Sequence, residues 1–473
     1  TTTTLGEGCW HAWGIVLFPL RVLIGCTAFG VGACFNICFD CNGRSRRDKK
    51  PDWNQTKADL TAFLRDSGLG EELQETTSRG KFRLFTNFRL LHALQRKIHP
   101  HGRPEACKLE QTTTSDTTDA ALKDAATFMK FATAAYGPQV IANAIFESGE
   151  RVPPGPLAKT RPAVLKHIGI EKDEAGVVVV MQLNYGEEVG TLRHYAVVDH
   201  ARRALVLAVR GTYSWSSTMA NCAGFTTEFC NGLEAHAGMV RLARGVWDAS
   251  GATILQRLAA LPTDYKFVIV GHSLGAGVAG LINLLVHHEE AQLAASRSIR
   301  CFLYGGPPTV SRLSTSDVDE EQAGEDLVAK AVASTYCFIY KRDIVPFISV
   351  DAIRRLCSMA QAVDELHVPL WKKPLLDHEI IQPTHDLVES FQRRILDTKL
   401  PPIDGAPPLY IPAHGVVWID EEQQSWCYSC RRHRYSTTLC DPRKLLDVGP
   451  LVGPSGISDH LTGRYEYSLQ HIS

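Results

Sequence analysis

Residues 265–285 read YKFVIVGHSLGAGVAGLINLL. The first six are apolar and β-branched, as in a strand buried on both faces, and the residues from Ala276 onward are small and aliphatic, as in a helix packed closely on that strand. Between them stands GHSLG. A GxSxG pentapeptide arises by chance with an expectation of roughly 0.2 in a chain of this length and glycine content, so the match alone is weak. Its position between a buried strand and a helix is what gives it meaning. A sharp strand-to-helix turn holds Ser273 in a strained conformation with its hydroxyl above the sheet, and Gly271 and Gly275 prevent clashes with neighbouring backbone. The helix N-terminus then turns its dipole and free N–H groups toward the point where an oxyanion would form.

Strand and helix alternate around this joint. LKDAATFMKFATAAYGP reads as an amphipathic helix ended by Gly137-Pro138, and GVVVVMQL as a strand. HYAVVDHARRALVLAVRGT gives two strands joined by a turn near Asp199 to Arg202, and GVWDASGATILQRLAAL gives a helix. Beyond the joint, IRCFLYGG and TYCFIY read as strands. The expected architecture is an α/β fold with a mainly parallel sheet covered on both faces. Residues 351–408 break the rhythm with mixed helical and Pro-rich sequence and read as an insertion.

A serine hydroxyl needs a base to take its proton, so a His and an acid are sought downstream. Asp343 lies just beyond TYCFIY, at the C-terminal end of a strand, with Asp351 as its rival. His460, in GISDHLTGRY, supplies the late histidine, and His378, His385, His414 and His433 read as surface residues. His272 adjoins the nucleophile and reads as structural. The backbone N–H groups of Thr212, after LVLAVRG, and of Leu274 are the candidate oxyanion donors.

At the N-terminus, Gly14 to Cys38 runs 25 residues with one charge, Arg21, long enough to cross a bilayer as a helix. CNGRSRRDKK follows with five basic residues in ten, which places the remainder on the cytoplasmic side. A signal peptide or a buried core helix are the alternatives. Cys26, Cys34, Cys38 and Cys41 suit either palmitoylation or plain burial, and cytoplasmic placement leaves the thiols reduced and the sequon at Asn54 unused. The division expected is 1–50 membrane helix and basic segment, 51–120 helical linker, and 121–473 catalytic domain. In the linker, KFRLFTNFRLLHALQRKIHPHGR carries six Lys and Arg and no acid. It fits a helix lying on an anionic membrane surface or one packed on the main domain with a solvated basic face.

Charge overall is balanced, 50 Lys and Arg against 51 Asp and Glu, so nothing global points to nucleic acid and no nucleic-acid partner is expected. Cys427, Cys430, His433 and Cys440 include a CxxC, but their spacing matches no common zinc module, so neither metal nor cofactor is assigned.

LKDAATFMKFATAAYG, VLAVRGTYS, EAHAGMV, VIVGHSLGAGVAG, FLYGGPP, KRDIVPF and ISDHLTGRY, in this order, resemble the class 3, or fungal-type, lipase family, and within it membrane-bound sn-1-specific diacylglycerol lipases. The resemblance implies an α/β-hydrolase fold with Ser273 as nucleophile, Asp343 as orienting acid and His460 as general base. It also implies Thr212 and Leu274 at the oxyanion hole and a lid in YSWSSTMANCAGFTTEFCNG. Ser217 and Asn221 depart from it, standing where relatives often carry Asp. Such relatives carry several membrane spans before the catalytic domain where this chain, opening TTTT without Met, displays one. The function expected is a membrane-anchored serine lipase acting on an acylglycerol, diacylglycerol first. A phospholipase A1 or general acylglycerol lipase, and a catalytically silent lipid-binding scaffold, are the alternatives.

Overall fold

The computed structural model describes residues 81–99, 108–109, 115–137, 160–170, 177–183, 192–211, 226–311, 318–376, 382–397, 408–423, 433–445, 449–453 and 455–472. The expected span at 14–38, the cysteines after it, Asn54, Thr212, Ser217, Asn221, His378, Cys427 and Cys430 lie outside these residues. Among the described residues no helix is long and apolar enough to cross a membrane.

The helices are α1 (Lys81–Ile98), α2 (Ser115–Ala134), α3 (Thr160–His167), α4 (Ala237–Ala259), α5 (Leu274–Glu289), α6 (Ala291–Ser296), α7 (Val318–Val332), α8 (Val350–Glu365), α9 (His385–Asp397) and α10 (Thr462–Gln470). The strands are β1 (Val178–Gln182), β2 (His194–Asp199), β3 (Ala204–Val209), β4 (Thr226–Glu228), β5 (Glu234–His236), β6 (Lys266–His272), β7 (Ile299–Tyr304), β8 (Thr335–Tyr340), β9 (Gly415–Gln423) and β10 (His433–Cys440). They fall into two compact units, the larger drawn from Ala106–Ile348, Pro408–Asp447 and Ser458–Ser473, the smaller from Thr1–Glu105, Ser349–Pro407 and Val448–Ile457.

The larger unit is built on an eight-stranded sheet in the order β1-β2-β3-β6-β7-β8-β9-β10. From β3 to β9 neighbouring strands are parallel, and β1, β2 and β10 add antiparallel edges. Side chains alternate across it. Val206, Val268, Phe302 and Phe338 join Phe128, Met129 and Phe131 of α2 in one core. On the opposite face the Trp247 ring of α4 lies 6.5 Å from that of Phe267, and Cys301 and Leu303 meet Ala279 and Gly280 of α5. Both faces are thus covered by helices, which is why β3, β6, β7 and β8 are almost wholly apolar. Tyr195 and Tyr304 donate their hydroxyls to the carbonyls of Phe131 and Ala125, tying α2 to the sheet. The helix begins at Ser115, inside what the sequence presents as a linker ending at 120.

The smaller unit packs α1 with α8 and α9, so the insertion expected at 351–408 folds with a helix more than 250 residues upstream. Phe88, Leu90, Leu91 and Leu94 of α1 are buried there, and Gln95 donates to the Pro450 carbonyl and accepts from Val452 N–H. The basic helix packs on protein, within the smaller unit and not on the main domain as one reading of it expected. Lys373 is buried and bonds Asp364 at 3.0 Å and Asn87 at 2.6 Å, while Arg83 bonds the same carboxylate at 2.9 Å. Burial by itself raises the Asp364 carboxyl; the hydrogen bonds from Arg83, Asn87 and Lys373 outweigh it and hold the group at about 2. The folded value lies below the ordinary one, so the pairing stabilises the fold above about pH 4, and that contribution disappears as pH falls through about 2. The urea midpoint of the wild type should therefore fall more steeply across this window than that of Asp364→Asn.

Candidate active site

β6 runs straight into Ser273, whose backbone has φ 62° and ψ −135°, and α5 starts at the next residue. A non-glycine residue held there stores strain of about 1–3 kcal/mol, which the surroundings must enforce. Three glycines and one hydrogen bond do so. A Cβ on Gly271 would strike the Gly275 carbonyl, and one on Gly275 would strike the Val209 carbonyl at the end of β3. A Cβ on Gly211 would lie 2.9 Å from Ser273 Cβ and also meet the Tyr136 hydroxyl. Ser273 N–H donates to the Tyr304 carbonyl at 2.9 Å. The strand-to-helix turn expected at GHSLG is present, and Gly211 brings the loop after β3 up against it.

Asp343 follows β8 in a turn closed by its own N–H to the Tyr340 carbonyl and is fully buried. Its Oδ1 accepts from Val345 N–H at 2.9 Å. Its Oδ2 accepts from two donors, His460 Nδ1 at 2.7 Å and the Tyr465 hydroxyl at 2.5 Å. A carboxylate on Nδ1–H fixes the tautomer and leaves Nε2 of His460 to act as proton acceptor. His460 stacks on His272, ring centroids 4.5 Å apart, and His272 Nε2 donates to the His460 carbonyl at 2.8 Å. Tyr136 hydroxyl lies 2.9 Å from the other nitrogen of His272. Burial, and then the charge of His460, depress the His272 pKa well below the ordinary range, so this ring stays neutral.

Asp343 and His460 are therefore joined directly, and His460 lies against the residue that precedes Ser273. Gly305 closes the group from below: its φ is +55°, and a Cβ there would lie 2.5 Å from Asp343 Oδ2 and 3.1 Å from His460 Nδ1. Leu274 is the first residue of α5, where a helix leaves its N–H without an intrahelical acceptor. Of the segment in which the resemblance implies a lid, Thr226–Glu228 forms β4 and Cys230–Gly232 a single 3-10 turn.

The rival residues are engaged elsewhere. Asp351 is in the first turn of α8 and bonds Arg355 at 2.6 Å. His385 pairs with Glu389 on the exposed side of α9, His414 is exposed, and His433 pairs with Glu421 at 2.8 Å. His433 and Cys440 are the first and last residues of the eight-residue β10, about 23 Å apart at strand rise, so one ion cannot hold both. Among the described residues no group of three or more His, Cys, Asp or Glu is placed to hold a metal.

Tyr465 escapes a reading from sequence because nothing local marks it; its two partners, Tyr340 N–H and Asp343, lie more than 120 residues upstream. Burial pushes its phenol well above the ordinary range, so it remains a donor to the carboxylate. A hydrogen bond to a charged group is worth about 1.5–3 kcal/mol. Tyr465→Phe should therefore lower kcat by roughly 10- to 100-fold with little change in KM, measured on a soluble ester.

Residues 206–352 match the family model described as Lipase (class 3). Diacylglycerol lipase-beta of Mus musculus is 28% identical over 239 residues, 44% of this chain and 34% of that protein. Secreted mono- and diacylglycerol lipase A of Penicillium cyclopium is 38% identical over 89 residues, 18% of this chain and 29% of that protein. A solved lipase from Rhizopus microsporus var. chinensis is 16% identical with a TM-score of 0.41, covering 76% of this chain and 91% of its own. The chain spans about a third of the length of the curated relatives it matches.

Proposed function

We propose, from the match of residues 206–352 to the class 3 lipase family model, that the chain is a serine lipase that hydrolyses a fatty acyl ester of an acylglycerol, diacylglycerol first. Ser273 Oγ attacks the ester carbonyl while His460 Nε2 takes its proton. Asp343 keeps the Nδ1–H of His460 in place and stabilises the imidazolium. The negative charge on the carbonyl oxygen is met by the N–H of Leu274 and, on the family pattern, that of Thr212. The C–O bond of the ester breaks as His460 returns the proton to the leaving alcohol. Water, deprotonated by the same imidazole, then releases the fatty acid and restores Ser273.

One observation carries this reading: the 2.7 Å bond between His460 Nδ1 and the buried Asp343 carboxylate, beside a serine held at φ 62° on a strand-to-helix turn. The diacylglycerol preference draws on the mouse and Penicillium relatives, whose names carry that substrate. The apolar segment 14–38 and the basic run after it support attachment to a membrane, with the hydrolase unit on the cytoplasmic side. Hydrolysis of diacylglycerol, triacylglycerol and phosphatidylcholine in matched vesicles tests the substrate. Diacylglycerol turnover should exceed both others; faster release of fatty acid from the phospholipid would reassign the chain as a phospholipase A1.

A further inference from the structure

Among the described residues four large apolar side chains are exposed, Leu370, Trp371, Leu375 and Leu396, and three of them fall within six residues of one turn. Trp371 is 70% exposed. The turn is held by its own backbone and by two buried side chains. Its backbone closes on itself through Lys372 N–H and Lys373 N–H to the Pro369 carbonyl and Leu376 N–H to the Lys372 carbonyl. It is bolted inward by Leu376, 4% exposed, and by Lys373, whose ammonium bonds Asn87 of α1 and Asp364 of α8. Closed backbone and outward apolar tips are what entry into a lipid interface requires, since polar groups left unpaired there cost several kcal/mol.

The surroundings supply the charge. Lys372 is exposed on the turn, and α1, on which the turn rests, contains five Lys and Arg and no acid. All three acids of α8 are matched by bases of the same unit: Asp351 by Arg355, Asp364 by Lys373 and Arg83, and Glu365 by Arg394. The described residues of the smaller unit together carry eleven Lys and Arg against six Asp and Glu, an excess that complements an anionic surface. Tryptophan and lysine side by side match the two levels of a bilayer interface, ring at the headgroup boundary and ammonium among phosphates.

We propose that the turn spanning residues 369–375 is a lipid-contacting tip of the smaller unit: Leu370, Trp371 and Leu375 enter the interface of an anionic bilayer, with Lys372 and the basic side of α1 at its headgroups. The basic helix contributes charge, and the apolar contact comes from this turn, because the apolar side of α1 is buried in protein. The assignment does not depend on catalysis.

The test uses the full chain reconstituted into phosphatidylcholine vesicles with and without phosphatidylserine, carrying brominated acyl chains that quench tryptophan on contact. Wild type is compared with Trp371→Phe, a conservative change at an exposed position, so the difference in quenching reports residue 371 alone and is unaffected by any other membrane-seeking segment. The wild type should lose more emission than Trp371→Phe, and more so with phosphatidylserine. Lys372→Glu should abolish the phosphatidylserine-dependent increment and leave quenching in neutral vesicles unchanged. Equal fractional quenching of wild type and Trp371→Phe would overturn the proposal. So would shielding of Trp371 from acrylamide that depends on protein concentration and not on lipid, which would assign the tip to a second copy of the chain.

Discussion

Ser273→Ala is expected to lower kcat by about 10⁶, the scale on which loss of the nucleophile acts when serine and histidine work as a unit. The side chain is 5% exposed, and alanine fits the same backbone, so the unfolding midpoint should not fall. Relief of the positive φ strain is not at issue, because alanine and serine share it. A soluble short-chain ester is the right substrate, since it separates chemistry from access to a lipid surface. Turnover within tenfold of wild type would remove Ser273 from the reaction. The silent-scaffold reading predicts no measurable turnover in the wild type, so the pair of proteins decides between the two.

Gly305→Ala is expected to lower kcat by about 10³- to 10⁴-fold, although residue 305 would touch no substrate. Gly305 N–H donates to the Phe338 carbonyl at 2.9 Å, which fixes its position between β7 and the acid turn. A methyl there would occupy the space between Asp343 Oδ2 at 2.5 Å, Tyr465 hydroxyl at 2.8 Å and His460 Nδ1 at 3.1 Å. None of these can yield cheaply: Asp343 and Tyr465 are fully buried, and separating either nitrogen or hydroxyl from the carboxylate breaks a charge-assisted bond. Loss of the orienting acid alone costs about 3 × 10⁴ in a comparable triad, which sets the ceiling. The left-handed backbone adds about 1–2 kcal/mol of strain for any residue with a Cβ. Gly169→Ala is the control, because Gly169 has φ +81° with nothing within 4 Å of the added carbon. Both variants should lose stability to backbone strain, Gly305→Ala more because of the added clash, and only Gly305→Ala should lose turnover.

The parts of this fold that could be read from sequence are those whose causes are local. ALVLAV, KFVIV, IRCFLY and TYCFIY announce themselves as strands because both faces are covered and each position must be apolar. β9 and β10, GVVWIDEEQ and HRYSTTLC, extend the same sheet but carry Asp, Glu, Arg and His, with Glu422, His433 and Arg434 exposed. They lack the continuous apolar signal and were hidden among mixed sequence. Likewise Ser273 is legible from its pentapeptide, and Asp343 and His460 from strand end and chain order. Tyr465, Gly305 and the Tyr136–His272 pair act through neighbours far away along the chain, and no pattern within a few residues encodes them. The union of α1 with α8 and α9 is a further case. Its glue, Lys373 with Asp364 and Asn87, joins positions 286 residues apart.

The account rests on Ser273 and His460 forming one nucleophilic pair. Its most direct test is mass-spectrometric mapping of a fluorophosphonate adduct on wild type and on His460→Ala. The wild type should carry a single adduct on the peptide containing Ser273, and His460→Ala should acquire it at least a thousandfold more slowly. An adduct elsewhere, or equal labelling rates for the two proteins, would contradict the account.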